Sequence, residues 1–347
     1  MHNDQVLAKF ILKHLGITTL EQRISRIYCQ SGCEARLFHY FQTHPEDAYP
    51  HIVKAYFAHH SAITGEALLL LPDLRESTLN VNILCGNQCW GVPPHLSNHG
   101  IPLPTTLQHV MTAAARLHAR HWNNPALLND PEWSFLKARA WHHGKEGGVW
   151  QRGFDRCKLM WTKTKTTGMD GCWKDVNWSP KLVALLDQSF EHTTFAKVVA
   201  MLRNPKEVFT HIHGDFHASN MLFQPVNEEV LLLDWTETSA WHPMTDVAQF
   251  AISDLKTDVR RQHEQAMLLH YWDTLRELGV DNYSFERCQA DYGSRSLERW
   301  LLMFAFLSGL PLPVMAMQYF HDQLAGFLED YPQPAEGVLL AASLNLV

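Results

Sequence analysis

Several things are scarce in this chain of 347 residues, and each scarcity excludes something. Glycine is missing until Gly16, so no glycine-rich turn can form in the first stretch. A basic excess is missing too: 29 Lys and Arg stand against 36 Asp and Glu, a net charge of −7. Nucleic-acid binders usually carry a basic face, so that class is set aside. The seven cysteines include no CxxC pair. Cys29/Cys33 and Cys85/Cys89 are spaced by four and read as incidental, and an odd count without a secretory signal predicts a reduced, cytoplasmic setting. Long apolar runs are nearly absent. Trp300 to Phe320 carries no formal charge, but Gly309, Pro311 and Pro313 interrupt it, which predicts two helices and no membrane span. No internal repeat or low-complexity tract occurs, and no HExxH accompanies His211, His213 and His217, so a zinc site is not expected.

What is present concentrates in two short stretches. The string His213-Gly-Asp-Phe-His-Ala-Ser-Asn220 puts Asp215 and Asn220 on one loop. The apolar run Val230 to Leu233 predicts a buried strand that delivers Asp234 at its end, with turn formers between Gln224 and Glu229. Mg-dependent phosphoryl transfer of the kinase type needs a loop Asp to receive the proton of the attacking hydroxyl. It also needs an amide and a second carboxylate to hold metal at the nucleotide phosphates.

This pattern resembles the aminoglycoside phosphotransferase and choline kinase superfamily, a branch of the protein-kinase-like fold. The continuation Asp234-Trp-Thr-Glu and Pro243-Met-Thr-Asp246-Val-Ala is most similar to its ecdysteroid-kinase-like branch. The resemblance implies Asp215 as catalytic base, Asn220 and Asp234 as Mg²⁺ ligands, and ATP as phosphoryl donor. His213 and Asp246 are implied as structural supports of the loop, Asp246 by accepting backbone N–H bonds. A protein kinase is the poorer match: His-Gly-Asp stands for His-Arg-Asp, and Trp235 follows the metal Asp where Phe-Gly would. Twelve positions from Asp234 to Asp246 are also too few for a full activation segment.

Upstream, Leu68 to Leu71 reads as a buried strand entering a hinge at Pro72-Asp73-Leu74, and the resemblance places the adenine near Asp73. Pro72 offers no N–H to a nucleotide base. Leu37, Phe38 and Phe41 recur at helical spacing, with Glu34 at the helix start. The resemblance pairs Glu34 with a phosphate-binding Lys, read as Lys9 on a strand Gln5–Phe10 with a connecting helix before Glu34. Counted from Lys9, two strands and the phosphate-covering turn have no sequence to form from. The chain is then either N-terminally incomplete or a catalytically impaired relative.

Farther along, Thr105-Thr-Leu-Gln108 has the pattern of a capping box. Leu107, Val110, Met111, Ala114 and Leu117 form one apolar stripe, and the helix ends in Leu117-His-Ala-Arg-His-Trp122. A second long helix is predicted from Asp258 to Leu278, stopped by Gly279. Trp133, Trp141, Trp150, Trp161, Trp173 and Trp178 fill a less regular region and read mainly as core.

The expected architecture is α+β and bilobal. A small, N-terminally truncated, β-containing lobe spans 1–74 and a larger, mainly helical lobe spans 75–347. The expected function is ATP- and Mg-dependent transfer of a phosphoryl group to a hydroxyl of a small molecule, such as a steroid alcohol, an amino alcohol or a similar metabolite. Its alternative is a non-catalytic, pseudokinase-like binding protein.

Overall fold

The first helix begins where apolar periodicity begins. In the computed structural model, which describes residues 24–28, 32–61, 63–64, 66–74, 76–81 and 102–341, Gly32–Thr43 forms α1. Leu37, Phe38 and Phe41 are buried along one face of it. This face lies on a three-stranded antiparallel sheet of β1 (Ile24–Tyr28), β2 (Phe57–His60) and β3 (Ala67–Pro72), in the order β1-β3-β2. β3 is central, pairing Leu70 with both Ile27 and Phe57. A central strand is shielded on both edges, which suits the run of four leucines from Leu68 to Leu71. Pro72 closes the strand, where a missing N–H costs least.

Lys9 and the strand predicted around it lie outside the described residues. The strand described before α1 is Ile24–Tyr28, with Arg26 opposite Leu71.

The larger part is helical. α2 (Leu103–Arg120) buries its stripe Leu107, Val110, Met111, Ala114 and Leu117, and packs along α7 (Thr257–Glu277). The predicted capping box is not used. Pro102 and Pro104 start α2 two residues before Thr105, and the helix has no side-chain cap. Proline in a first turn gives up an N–H that has no helical partner there anyway. α7 ends as predicted at Gly279, which takes φ +91° and lets Val280 N donate to Leu275 O. Between these long helices lie α3 (Gly147–Lys163), α4 (Pro180–His192) and α5 (Phe195–Leu202); α6 (Met244–Asp254) precedes α7. α8 (Phe285–Arg295), α9 (Leu297–Leu307) and α10 (Val314–Asp330) complete the body. Five of the six singled-out tryptophans are buried, and Trp178 packs half-buried against the same core. The segment 300–320 is two helices, α9 and α10, broken at Gly309–Pro313. Among the described residues no helix is long and apolar enough to cross a membrane.

Two small sheets position the site. β4 (Leu79–Asn80), β6 (Met221–Gln224) and β7 (Glu229–Leu232) form one antiparallel sheet, and β5 (Thr210–Ile212) pairs with β8 (Ser239–Trp241). The hairpin of β6 and β7 pairs Met221 with Leu232, so residues 220 and 233 meet at its open end.

Candidate active site

The loop between β5 and β6 carries Asp215, and a glycine makes its path possible. Gly214 has φ +82°, and a Cβ there would stand 2.0 Å from the carbonyl oxygen of Glu237. Any larger residue would meet both backbone strain and a clash. The two N–H groups of His213 and Gly214 donate to the Asp246 carboxylate at 2.7 and 2.9 Å. Asp246 sits in the first turn of α6 with no exposed side-chain surface, and also accepts from His118 Nε2 at 3.1 Å. His118 in turn bonds the Tyr271 hydroxyl at 2.8 Å, which ties the loop to α2 and α7.

His213 is neutral and its tautomer is fixed. Its Nδ1 accepts from Asp215 N at 3.2 Å, so Nε2 carries the proton that it gives to Leu233 O at 2.9 Å. Burial holds its pKa below the usual imidazole range, against the pull of Asp246 and Asp215. The ring therefore joins the loop before Asp215 to the residue before Asp234.

Asp215 keeps 23 % of its side chain exposed. Its Oδ1 accepts from Gln249 Nε2 at 2.7 Å, and its Oδ2 accepts from Asn220 Nδ2 at 3.2 Å and lies 3.4 Å from His217 Nε2. Burial pushes its carboxyl upward. The positive charge and hydrogen bond of His217, with Arg299 and Gln249, outweigh burial and hold it well below the carboxylate range. Burial likewise opposes charge on His217, yet the carboxylates of Asp215, Asp254 and Asp234 push its pKa up to about 9.

Asn220 spends its amide N–H on Asp215, to the carbonyl at 3.1 Å as well as the carboxylate, leaving its side-chain oxygen as an acceptor. Its backbone oxygen accepts from Leu233 N at 2.9 Å, which sets Asn220 beside Asp234. Asp234 adopts φ +60°, a left-handed conformation that costs a non-glycine residue of order 1–3 kcal/mol. Its Oδ1 accepts from Thr236 Oγ1 at 2.7 Å. Glu34, 5 % exposed on α1, reaches across 201 residues so that its Oε1 accepts from Trp235 N at 3.1 Å. The helix of the small sheet is thereby fastened to the residue after Asp234. Asp73 follows β3 directly.

Some members of the site gave no sequence signal of their role. Glu237 is held by Lys137 Nζ and by Arg299 Nη2 at 3.1 Å while its carbonyl lies behind Gly214. Gln249, His118 and Tyr271 were also unforeseen. Gln249 lies one turn after Asp246 on α6, the one spacing that could have suggested it. Among the described residues no group of three or more His, Cys, Asp or Glu is arranged to hold a metal ion.

Beneath Asp215 opens a cavity of about 190 Å³, lined by Asp215, His217, Gln249, Ser253, Asp254, Trp300, Met303, Leu307 and Phe320. The loop supplies its polar side, and α9 and α10 supply its apolar wall.

Comparison with known proteins fits this geometry. A choline kinase from Streptococcus pneumoniae is 13 % identical, aligned over 95 % of this chain and 100 % of its own, with a TM-score of 0.50. A glucosamine kinase (15 %; 89 % and 71 %; TM-score 0.48) and an ethanolamine kinase from Plasmodium vivax (12 %; 86 % and 72 %; TM-score 0.46) are also similar. No curated protein matches the sequence. The choline kinase likeness establishes the fold, which is α+β and protein-kinase-like, with a small sheet portion and a larger helical part. Residues 107–281, just over half of the chain and including the whole loop, Asp234 and Asp246, match the family model "Ecdysteroid kinase-like family". The chain belongs to the ecdysteroid kinase-like family.

Proposed function

We propose that the protein transfers the γ-phosphoryl group of ATP to a hydroxyl of a small molecule. The observation that carries this reading is the junction at Asn220. One residue hydrogen-bonds the Asp215 carboxylate through its side chain and the neighbour of Asp234 through its backbone. The proposed base and the proposed metal carboxylate thus share a rigid frame. In the reaction the bond from the γ-phosphorus to the bridging oxygen of ADP breaks, and a bond to the acceptor oxygen forms. The acceptor's proton passes to Asp215, and ADP leaves with the bridging oxygen.

Asn220 and Asp234 suit Mg²⁺, which takes oxygen ligands and usually only one or two carboxylates, completing its shell with water and phosphate oxygens. When bound, Mg²⁺ would neutralise charge on those phosphates. Asp215 orients the acceptor hydroxyl, Gln249 and Asn220 fix its carboxylate plane, and Asp246 fixes the backbone that carries it. Adenine would rest against the segment at Asp73, at the boundary of a small lobe spanning 1–74 and a large lobe spanning 75–347. A cytoplasmic setting, a small-molecule partner and no nucleic-acid partner belong to the same reading; the acidic net charge supports the last.

The test is transfer of labelled γ-phosphate from Mg·ATP to a panel of alcohols by the full chain. Wild type should label an acceptor and Asp215→Asn should not, while both bind nucleotide. Equal labelling by the two proteins would remove Asp215 from the role.

A further inference from the structure

The cavity below Asp215 is small for the family's name. Its volume is about 190 Å³. Drug-sized ligands occupy sites of roughly 300–1,000 Å³, and four fused rings with a side chain belong to that larger class. The obstruction is built from packed side chains on two helices. Trp300 and Phe320 meet edge to face at 5.6 Å and are both buried, while Met303 and Leu307 are half-buried on the same wall.

The polar side has a definite charge. Asp215 and Asp254 are two carboxylates facing one imidazole, His217, so the lining is net negative whichever state the imidazole takes. Asp254 accepts from Ala218 N at 3.1 Å and Ser253 Oγ at 2.8 Å, which fixes its carboxylate under the loop. Gln249 is 5 % exposed; its NH₂ is committed to Asp215, and its Oε1 has no hydrogen-bond partner. Trp300, also 5 % exposed, has an indole N–H without one. A buried polar atom left unpaired is costly. A ligand bearing a second hydroxyl or amine near the reacting one gives such atoms a partner after modest side-chain rotation.

We propose that the acceptor is a compact alcohol, uncharged or singly positive, with its hydroxyl against Asp215 and an apolar body against Trp300, Met303, Leu307 and Phe320. Hydroxysteroids and carboxylated or phosphorylated alcohols are excluded. This rests on the phosphotransfer reading for its chemistry, with ATP as co-reactant, but binding can be measured without turnover.

The experiment has a binding arm and a turnover arm. The full chain, with Mg²⁺ and a non-hydrolysable ATP analogue, is titrated calorimetrically with three probes: a short amino or arylalkyl alcohol series, hydroxy acids of matched size, and a hydroxysteroid. At least one compact alcohol should bind, with hydroxy acids at least ~10-fold weaker because like charges oppose at short range and no steroid binding detected. Met303→Ala and Leu307→Ala, which remove half-buried wall atoms and should leave folding intact, should admit bulkier alcohols and weaken the compact ones. Steroid binding to wild type as tight as that of any compact alcohol overturns the inference. So does an unchanged size ranking in both variants, or a lack of binding by every compact alcohol. If compact alcohols bind and follow the predicted ranking but none is phosphorylated with Mg·ATP, the phosphotransfer reading fails while the assignment of the cavity stands.

Discussion

Two carboxylates flank the same loop and receive opposite treatment. Asp246, at the foot, is fully enclosed and saturated by two backbone N–H groups and an imidazole. Asp215, at the tip, is nearly a quarter exposed at the mouth of a cavity, and every donor it meets is a side chain. An acid that braces a backbone is worth most when its donors cannot leave. An acid that orients a substrate needs its donors to fix its plane and leave one edge open. A third acid completes the contrast. Glu298 is 3 % exposed, shares Arg295 with Glu207, and has an Oε2 without a partner. Burial, opposed by Arg295 and helped by Glu207, pushes its pKa up to about 7.

Substitution at the tip and the foot should separate chemistry from stability. Asp215→Asn is expected to lower kcat by ~10²–10⁴-fold, with nucleotide affinity and melting temperature close to wild type. A loss that appears mainly in KM for the acceptor would make Asp215 a binding residue. Asp246→Ala strands the N–H groups of His213 and Gly214 and the His118 ring. Removing one side of a buried charged network costs roughly 3–5 kcal/mol, so denaturant unfolding should show that loss. If unfolding is unchanged and only activity falls, the brace is not structural.

Glu298 sharpens the contrast through pH. Its folded pKa lies above the unfolded carboxyl value of 4.5, so the folded protein holds a proton that the unfolded chain releases. The stabilisation is complete below pH 4.5 and is lost as pH rises through about 7. The span corresponds to about 3 kcal/mol at most, at 1.36 kcal/mol per unit. Glu298→Gln should flatten this part of the stability profile, as read by urea midpoints between pH 5 and 8. A variant with the wild-type slope would place the titration elsewhere.

The comparison also marks where sequence reasoning reaches. The loop from His213 to Asn220 and the strand ending at Asp234 were legible because residue type and local periodicity specify them. The stripe on α2 and the stop at Gly279 were legible for the same reason. The partners that make these residues a site were not. His118, Tyr271, Gln249, Lys137 and Arg299 reach the loop by packing of elements far apart in sequence, and no local pattern encodes that. The capping box at Thr105–Gln108 failed because two prolines upstream can open a helix without any cap. Glu34 was placed at the start of its helix, where its carboxylate accepts from Trp235 N; Lys9, its expected partner, lies outside the described residues.

The smallest expected effect tests which cation serves the nucleotide phosphates, Lys9 lying outside the described residues. A short alternation such as Gln5–Phe10 has the period of a strand, and so does Ile24–Tyr28. Of the two, Ile24–Tyr28 lies within the described residues, where it pairs with β3 and precedes the helix carrying Glu34. If the cation that meets the nucleotide phosphates stands on that strand rather than at Lys9, it is Arg26, the strand's single cation. A guanidinium supplies the same charge as a lysine and can bind a phosphate through two N–H groups. Arg26→Ala should therefore raise KM for ATP by about 10-fold, or ~1.4 kcal/mol, and Arg26→Lys should recover most of it. Lys9→Ala should change KM for ATP by less than about 2-fold, within the scatter of surface substitutions. The reverse ranking would return the phosphate role to Lys9 and would mean that β1 is only the edge that covers β3.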